Sequence, residues 1–537
     1  MRATVHGQQA GPEVARAAFR IDTEPVEEFE VPETREAPGT YTSEIHLEAG
    51  ERTLAVAFLN DYYNPKHPDR NQRDRNFYVH EMALIGPLDA RPSSAFQRRW
   101  IPEDRERDTS LLREVVERTA RRAFRRPIPA DDVDELLSVV EHATDPDANF
   151  EAQLRVALTA ILVSPRFLFR IEPIAKTNDA VTPLDPHSLA ARLSYFLWSS
   201  MPDEPLFAAA EDGSLLDETT WAQHVRRMLR DPRSLALAEH FATQWLQIRD
   251  LGQHQPDPNR FPRVDETLLD AMRQESILFF DAVLRENRSL WTFLDADFTF
   301  VNEPLARHYG LPSVRGPWMR RVPVTEESPV LGGLLGHASV LTATSNATRT
   351  SPVKRGQWIL TVLLDAAPPP PPPEVDGLRE EDAMRTGATL RELLEQHRAD
   401  PDCAGCHARM DALGFGLEEY DPVGRRRTHD AGRAVDASGT LPDGQSFVGA
   451  QALREVLRND TDFLRSIAKQ LAVYAWGRRW QPSDNAVLPA LLQSVTIDPT
   501  LERLCLEITR LDAFRARRQP TPPSNAPSPP SETGTDR

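Results

Sequence analysis

The sequence predicts a multidomain chain, with a partial β-sandwich at its N-terminus followed by mainly α-helical modules. Apolar–polar alternation is confined to residues 1–90. From Asp108 onward apolar residues instead recur every three or four positions, the period of helices lying on a core. A length of 537 residues suits about three or four domains, and a 40% hydrophobic fraction with nine tryptophans suits folded ones.

Within residues 1–90, "TYTSEIHLEAGERTLAVAFLND" reads as two strands joined by a hairpin turn at Glu48-Ala49-Gly50-Glu51, and "NFYVHEMALIG" alternates again. About five strands emerge, fewer than the seven or eight of a sandwich or jelly roll. The domain therefore reads as one entered part-way through. "SLLREVVERTARRAF", "ADDVDELLSVVEHA" with a start at Ala130-Asp131, and "FEAQLRVALTAILV", stopped by Pro165, form a first helical module at 108–172. "LAARLSYFLW", "TTWAQHVRRMLRDPRSLALAEHFATQWLQI" and "VDETLLDAMRQESILFFDAVLREN" form a second at 183–312.

Residues 329–428 hold a glycine-rich turn, the polar "LTATSNATRTSPV" and the helix "KRGQWILTVLLDA". Asn346-Ala347-Thr348 matches a glycosylation sequon and is read as a polar turn. Pro368 to Pro373 form a stiff polyproline II run, read as a spacer or as an extended strap over the next module. "ATLRELLEQHRAD" is a short helix. Turn-rich "VDASGTLPDGQSFVG" and amphipathic "DFLRSIAKQLAVYAWGRRW" make a C-terminal module at 435–512, and the composition of 518–537 predicts a disordered tail.

A net charge of −18 opposes nonspecific binding to nucleic acid or anionic lipid. Arginines do cluster at Arg121, Arg122, Arg125 and Arg126, but acidic residues flank them. No apolar run approaches the ~20 residues that span a bilayer. "MRATVHGQQAGPEVARAAF" lacks the apolar core of a signal peptide, which taken alone predicts a cytoplasmic chain.

Cysteine is nearly avoided, yet Cys403 and Cys406 stand beside His407 in "DPDCAGCHARMDALGFGLEEYDPVG", far from Cys505. Cys-x-x-Cys-His is the attachment pattern of a c-type haem. Thiols at i and i+3 on one helical turn can add to the two porphyrin vinyl groups, and the histidine at i+4 then lies beneath the iron. A structural zinc site normally takes four ligands, often from a second cysteine pair, which this sequence lacks. A thioredoxin-like pair would follow a strand, whereas this one follows a helix and an Ala-Asp-Pro-Asp turn. Covalent haem c is the favoured reading. For the sixth iron position Met410 is close enough in sequence to favour a packing role, and His429 falls in a polar loop. His337 and His397 are upstream candidates, and an open or water-bound face is an equal alternative.

"HRADPDCAGCHARMDALGFGLEEYDPVGRRR", preceded by "LTATSNATRTSPVKRGQWILTVLLDAAPPPPPP", closely resembles the planctomycete-type secreted multidomain cytochrome-like family. The resemblance extends over most of residues 108–510. "RRAFRRPIPADDVDELL" with "ILVSPRFLFRIE", "LAARLSYFLWSSMPDEPL", the cysteine segment, and "VDASGTLPDGQSFVGAQALREVL" with "LAVYAWGRR" look like domains of unknown function 1595, 1592, 1588 and 1585 in turn. Ala412 stands where the family motif usually has proline, and the family's frequent signal peptide and separate N-terminal cytochrome module are not seen here. "AVAFLNDYYNPKHPDRNQRDRNFYVHEMALIGPL" resembles a calcium-dependent carbohydrate-binding sandwich, with Asn60, Asp61, Asp74 and Asn76 as oxygen ligands for calcium. The alternative is a solvated polar loop, given His80 and the incomplete strand count.

The expected function is that of an extracytoplasmic c-type haem protein in electron transfer or redox chemistry, linked to polysaccharide degradation and served by a redox partner protein. The alternative is a noncatalytic glycan-binding surface protein with structural haem. A cytoplasmic zinc-binding scaffold follows only if the missing leader is genuine. Neither paired carboxylates nor a Ser-His constellation stands out, so haem-dependent oxidoreductase activity stays open. Since the resemblance implies a periplasmic or secreted protein, the start is expected to truncate a longer secreted precursor.

Overall fold

The computed structural model describes residues 1–537 except 49, 51, 87, 89–97, 99, 103, 174–180, 312–313, 370–389, 398–400, 431 and 519–537, with backbone alone at 390, 393, 396–397, 401–404, 406 and 518. Most of the polyproline run and the C-terminal tail lie outside the described residues. The chain forms two compact units, Met1–Leu111 and Leu112–Arg537.

Among its described residues the first unit holds seven strands: β1 (Arg2–Gln8), β2 (Ala15–Ile21), β3 (Glu24–Val31), β4 (Gly39–Thr42), β5 (Leu54–Phe58), β6 (Tyr62–Tyr63) and β7 (Asp74–Ala83). They make two antiparallel sheets, ordered β4-β1-β7-β6 and β3-β2-β5. Ala3 and Val5 of β1 pack with Ala15, Ala17 and Phe19 of β2 and with Val31 of β3 in one small core. The count of about five strands is thereby corrected, for a physical reason: the inward positions of β1 and β2 are largely alanine, whose weak strand preference hides the alternation. The expected hairpin across 48–51 is also corrected. β4 pairs with β1 while β5 pairs with β2, so the two runs enter different sheets.

The second unit begins within α1 (Thr109–Phe124) and continues with α2 (Ala130–Ala143) and α3 (Phe150–Val163). Pro165 does more than stop α3. It starts a four-residue helix, Pro165–Leu168, whose N-cap Ser164 accepts from the Arg166 N–H. Next come α4 (Pro186–Trp198), α5 (Glu204–Glu211), α6 (Glu218–Arg230) and the long α7 (Glu266–Arg285). Aspartates at 185, 203, 217 and 265 cap these four, each accepting from backbone N–H groups that would otherwise be orphaned. The short strands β8 (Phe298–Val301) and β9 (Arg320–Pro323) pair around α8 (Glu303–Tyr309). Then follow α9 (Ala338–Ala343), α10 (Pro352–Trp358), α11 (Leu390–His397), α12 (Pro401–Phe415), α13 (Gly449–Arg458), α14 (Asp462–Trp476), α15 (Leu488–Ile497) and α16 (Leu501–Arg510).

Segments that read as the second helical module, the cysteine module and the C-terminal module share one large apolar core, running from Leu184 on the approach to α4 to Phe514, and a smaller cluster with Leu269, Met272, Leu305 and Tyr309 packs separately. Buried tryptophans stitch the large core: the indole N–H groups of Trp221, Trp245 and Trp358 donate to Thr509 Oγ1 (3.1 Å), Val362 O (3.1 Å) and Leu246 O (2.9 Å). Among the described residues no helix is long and apolar enough to cross a membrane.

Candidate functional site

Positions 403, 406 and 407 lie in α12, a fifteen-residue helix. The expected Ala-Asp-Pro-Asp turn is in part helical, because Pro401 opens α12, where a missing N–H costs nothing. Residues spaced i, i+3 and i+4 share one face of such a helix. The two cysteine side chains lie outside the described residues. His407 Nδ1 sits 3.0 and 3.2 Å from the carboxylate oxygens of Asp411, one turn further along. Asp411 is completely buried and the His407 side chain is 19% exposed. A carboxylate accepting from Nδ1–H fixes the ring's tautomer and makes Nε2 the nitrogen suited to a metal. This donor set therefore fits a haem iron bound through His407 Nε2. Among the described residues no group of three or more His, Cys, Asp or Glu side chains gathers as a metal site.

Three contacts hold α12 in place. Gly356 of α10 lies against the Met410 backbone, and Gly414 of α12 lies against the Pro352 backbone, so the two helices cross main chain on main chain. Arg355, wholly buried, donates to the carbonyls of Leu417 (2.6 Å), Tyr420 (3.0 Å) and Asp421 (2.9 Å), and pairs with Glu418 (3.2 Å). Arg391 of α11 stacks over the Phe415 ring at 3.8 Å and donates to Ser438 O at 2.6 Å.

Of the residues considered for the sixth iron position, Met410 is buried in the main core against Gly356, a packing role. His429 is exposed on a two-residue strand, and the His397 side chain lies outside the described residues. His337 is fully buried, its Nδ1 2.9 Å from Ser276 Oγ and its ring edge-on to Phe279. Its Nε2 is buried without a hydrogen-bond partner among the described residues.

Beside it, Glu275 is also fully buried, accepting from Thr299 Oγ1 and Tyr309 Oη at 2.6 Å each. Burial pushes Glu275 up to about 8 from 4.5 and His337 down to about 3 from 6.5. The raised carboxyl gives stability that is fully present below pH 4.5 and lost as pH rises to 8. The depressed imidazole gives stability that is present above pH 6.5 and lost as pH falls to 3. Between pH 4.5 and 6.5 the two slopes cancel. Urea unfolding is therefore expected to show Glu275→Gln flattening the alkaline loss between pH 6.5 and 8, by about 1.4 kcal/mol per pH unit. An unchanged slope in that variant would assign the loss to other groups.

In the first unit, β6 pairs with β7 so that Tyr62 faces Arg75 and Tyr63 faces Asp74. Asp74 and Asn76 thus meet, Asn76 Nδ2 donating to Asp74 Oδ2 at 3.1 Å, and Asp61 lies exposed at the adjoining strand end. Asn60 is occupied differently. Its side-chain oxygen accepts from Arg16 N (2.7 Å) and its amide donates to Val14 O (2.8 Å), clamping the start of β2. Buried Arg75 locks the same corner through the carbonyls of Asn60, Ala10 and Glu13. Asp411, spaced i+4 from His407, was legible in sequence as a helical partner and was missed. Arg355, Gly356, Gly414 and Arg75 carry no local signal, because their partners are remote in sequence.

Four stretches match models described as proteins of unknown function: DUF1595 over 111–172, DUF1592 over 184–311, DUF1588 over 331–430 and DUF1585 over 443–514. Residues 2–97 match a calcium-dependent, xylan-binding carbohydrate-binding module. No curated protein and no solved structure matches the chain. These modules define a class of large multidomain proteins of cytochrome-like type. The chain belongs to the planctomycete-type multidomain cytochrome-like family.

Proposed function

We propose that this protein is an extracytoplasmic c-type haem protein working in electron transfer or redox chemistry next to polysaccharide. The observation that carries this is Cys403-x-x-Cys406-His407 on one helix, with His407 Nδ1 bonded to the buried Asp411 carboxylate. In the proposal Cys403 and Cys406 hold the porphyrin through thioethers and His407 ligates the iron, which supplies one-electron chemistry. Asp411 orients the imidazole, and the α10–α12 crossing keeps that helix in place. The modules are read as 1–90, 108–172, 183–312, 329–428 and 435–512, followed by a tail at 518–537.

A second reading, a noncatalytic glycan-binding protein, is favoured by the match of residues 2–97 to a calcium-dependent xylan-binding module. Asp61, Asp74 and Asn76 are its proposed calcium ligands. Asn60 contributes less, because its side-chain oxygen already serves β2.

One experiment separates the readings. Protein expressed in the periplasm with c-type maturation machinery is expected to keep haem after acid-acetone extraction, to give a c-type pyridine-haem spectrum, and to lose the haem in the Cys403→Ala/Cys406→Ala variant. The same preparation is applied to xylan with calcium or chelator. Calcium-dependent retention without a reversible redox couple would favour the second reading, and no haem on the wild type would overturn the first.

A further inference from the structure

A cavity of about 820 Å³ opens in the second unit, far from the cysteine motif in sequence. Its walls come from the end of α1, the stretch after Pro165, α4 and the end of α14. Five arginines and two carboxylates line it. Asp132 is taken by Arg166 (2.7 Å) and Glu172 by Arg192 (2.8 Å). Arg125, Arg126 and Arg170 have no carboxylate ion-pair partner among the described residues, so the described lining carries more arginines than carboxylates in a protein of net charge −18.

The placement of Arg125 has a cost. It follows the last residue of α1 with φ at +59°, the left-handed capping position where glycine is the usual residue. Its guanidinium is held by the carbonyls of Arg166 (2.7 Å), Phe167 (3.1 Å) and Phe169 (2.9 Å) and donates to Tyr195 Oη (3.1 Å). The Tyr195 ring lies under two guanidiniums, Arg125 at 5.6 Å and Arg170 at 5.0 Å. Two further groups of the lining, the Trp476 indole N–H and His187 Nδ1, are buried without a hydrogen-bond partner among the described residues. Buried polar groups of native proteins rarely stay unpaired, so these two call for a partner that the described residues do not supply.

We propose that this cavity binds an acidic sugar, an oligosaccharide carrying carboxylate or sulfate groups. The arginines would take the anionic oxygens in forked hydrogen bonds. The volume exceeds what a lone inorganic anion fills, and the chain's overall negative charge opposes long polyanions such as nucleic acid. The choice of a sugar over other organic anions rests on the carbohydrate reading above; the anion site itself does not.

The test is isothermal titration of the intact protein, with chelator present to silence calcium-dependent xylan binding. Trigalacturonate, a sulfated disaccharide, neutral xylotriose and inorganic sulfate are compared. Saturable binding of either charged sugar is expected, weakened at least tenfold by Arg126→Ala/Arg170→Ala with melting temperature unchanged. Calcium-dependent retention on xylan is expected to stay the same in that variant, so this proposal and the functional one fail separately. If the double variant melts early, Arg170→Gln, at an exposed position, carries the comparison. Affinity unchanged by the substitutions, equal binding of xylotriose, sulfate binding as tightly as the sugars, or no binding at all would each overturn the proposal.

Discussion

Gly356→Ala and Gly414→Ala are each expected to destabilise the helical unit by about 3 kcal/mol or more. A Cβ at 356 would stand 1.8 Å from the Met410 carbonyl oxygen, and one at 414 would stand 1.8 Å from that of Pro352. Both obstacles are backbone, with no flexible side-chain end to swing aside. The helices would have to separate, loosening Trp358, Met410 and Leu413 from a core packed like a crystal. Gly405, on the same helix, meets nothing within 4 Å and serves as the control. Gly405→Ala is expected to leave stability level or raise it by up to about 1 kcal/mol, the difference in helix preference. Thermal melts of the three variants decide the matter, and equal melting temperatures would mean that the crossing yields freely.

Arg355→Met should cost a similar amount by another mechanism, about 3–5 kcal/mol. Burial lowers Arg355 to about 10, which leaves it charged at neutral pH. Removing the guanidinium strands three carbonyls together with one side of Glu418, although Arg427 at 3.0 Å still partners that carboxylate. Glu418→Gln keeps the carbonyl bonds intact and is expected to lose less. In hydrogen exchange of Arg355→Met, amides of residues 417–427 should open before those of α14. A loss under about 1 kcal/mol in chemical denaturation would show that the loop re-pairs its carbonyls with water.

Most helices of the second unit were legible because their apolar faces repeat at helical spacing. Ala130–Ala143 begins at the expected Ala130-Asp131, while the start of Glu266–Arg285 is fixed by the Asp265 cap, a signal the reading left unused. The strands fared worse. In "ARAAFRI" alanine fills two of the three inward positions, and the pairing of β5 with β2 joins residues more than thirty apart, which no turn signal announces. At the candidate site the Cys-x-x-Cys-His spacing was plain, while Gly356 and Gly414 carried no sign of the crossing in their local sequence. The arginine cluster at 121–126 illustrates the limit. Flanking acids suggested a neutralised surface, and Arg121 and Arg122 do pair with Glu204 and Glu211. Arg125 and Arg126 line the cavity instead, beside Arg166, Arg170 and Arg192, a convergence set by tertiary packing alone.

The placement of His407 and Asp411 on one helix limits which motions can disturb them. If the helix shifts or tilts as a rigid body, histidine and carboxylate travel together and their 3.0 Å separation survives. A support supplied from another element would instead be stretched by every relative displacement. At the level of the backbone, separating this pair takes local unwinding between 407 and 411, which must break helical hydrogen bonds. The histidine's orientation thus depends on a single turn of helix and is insulated from breathing elsewhere in the protein.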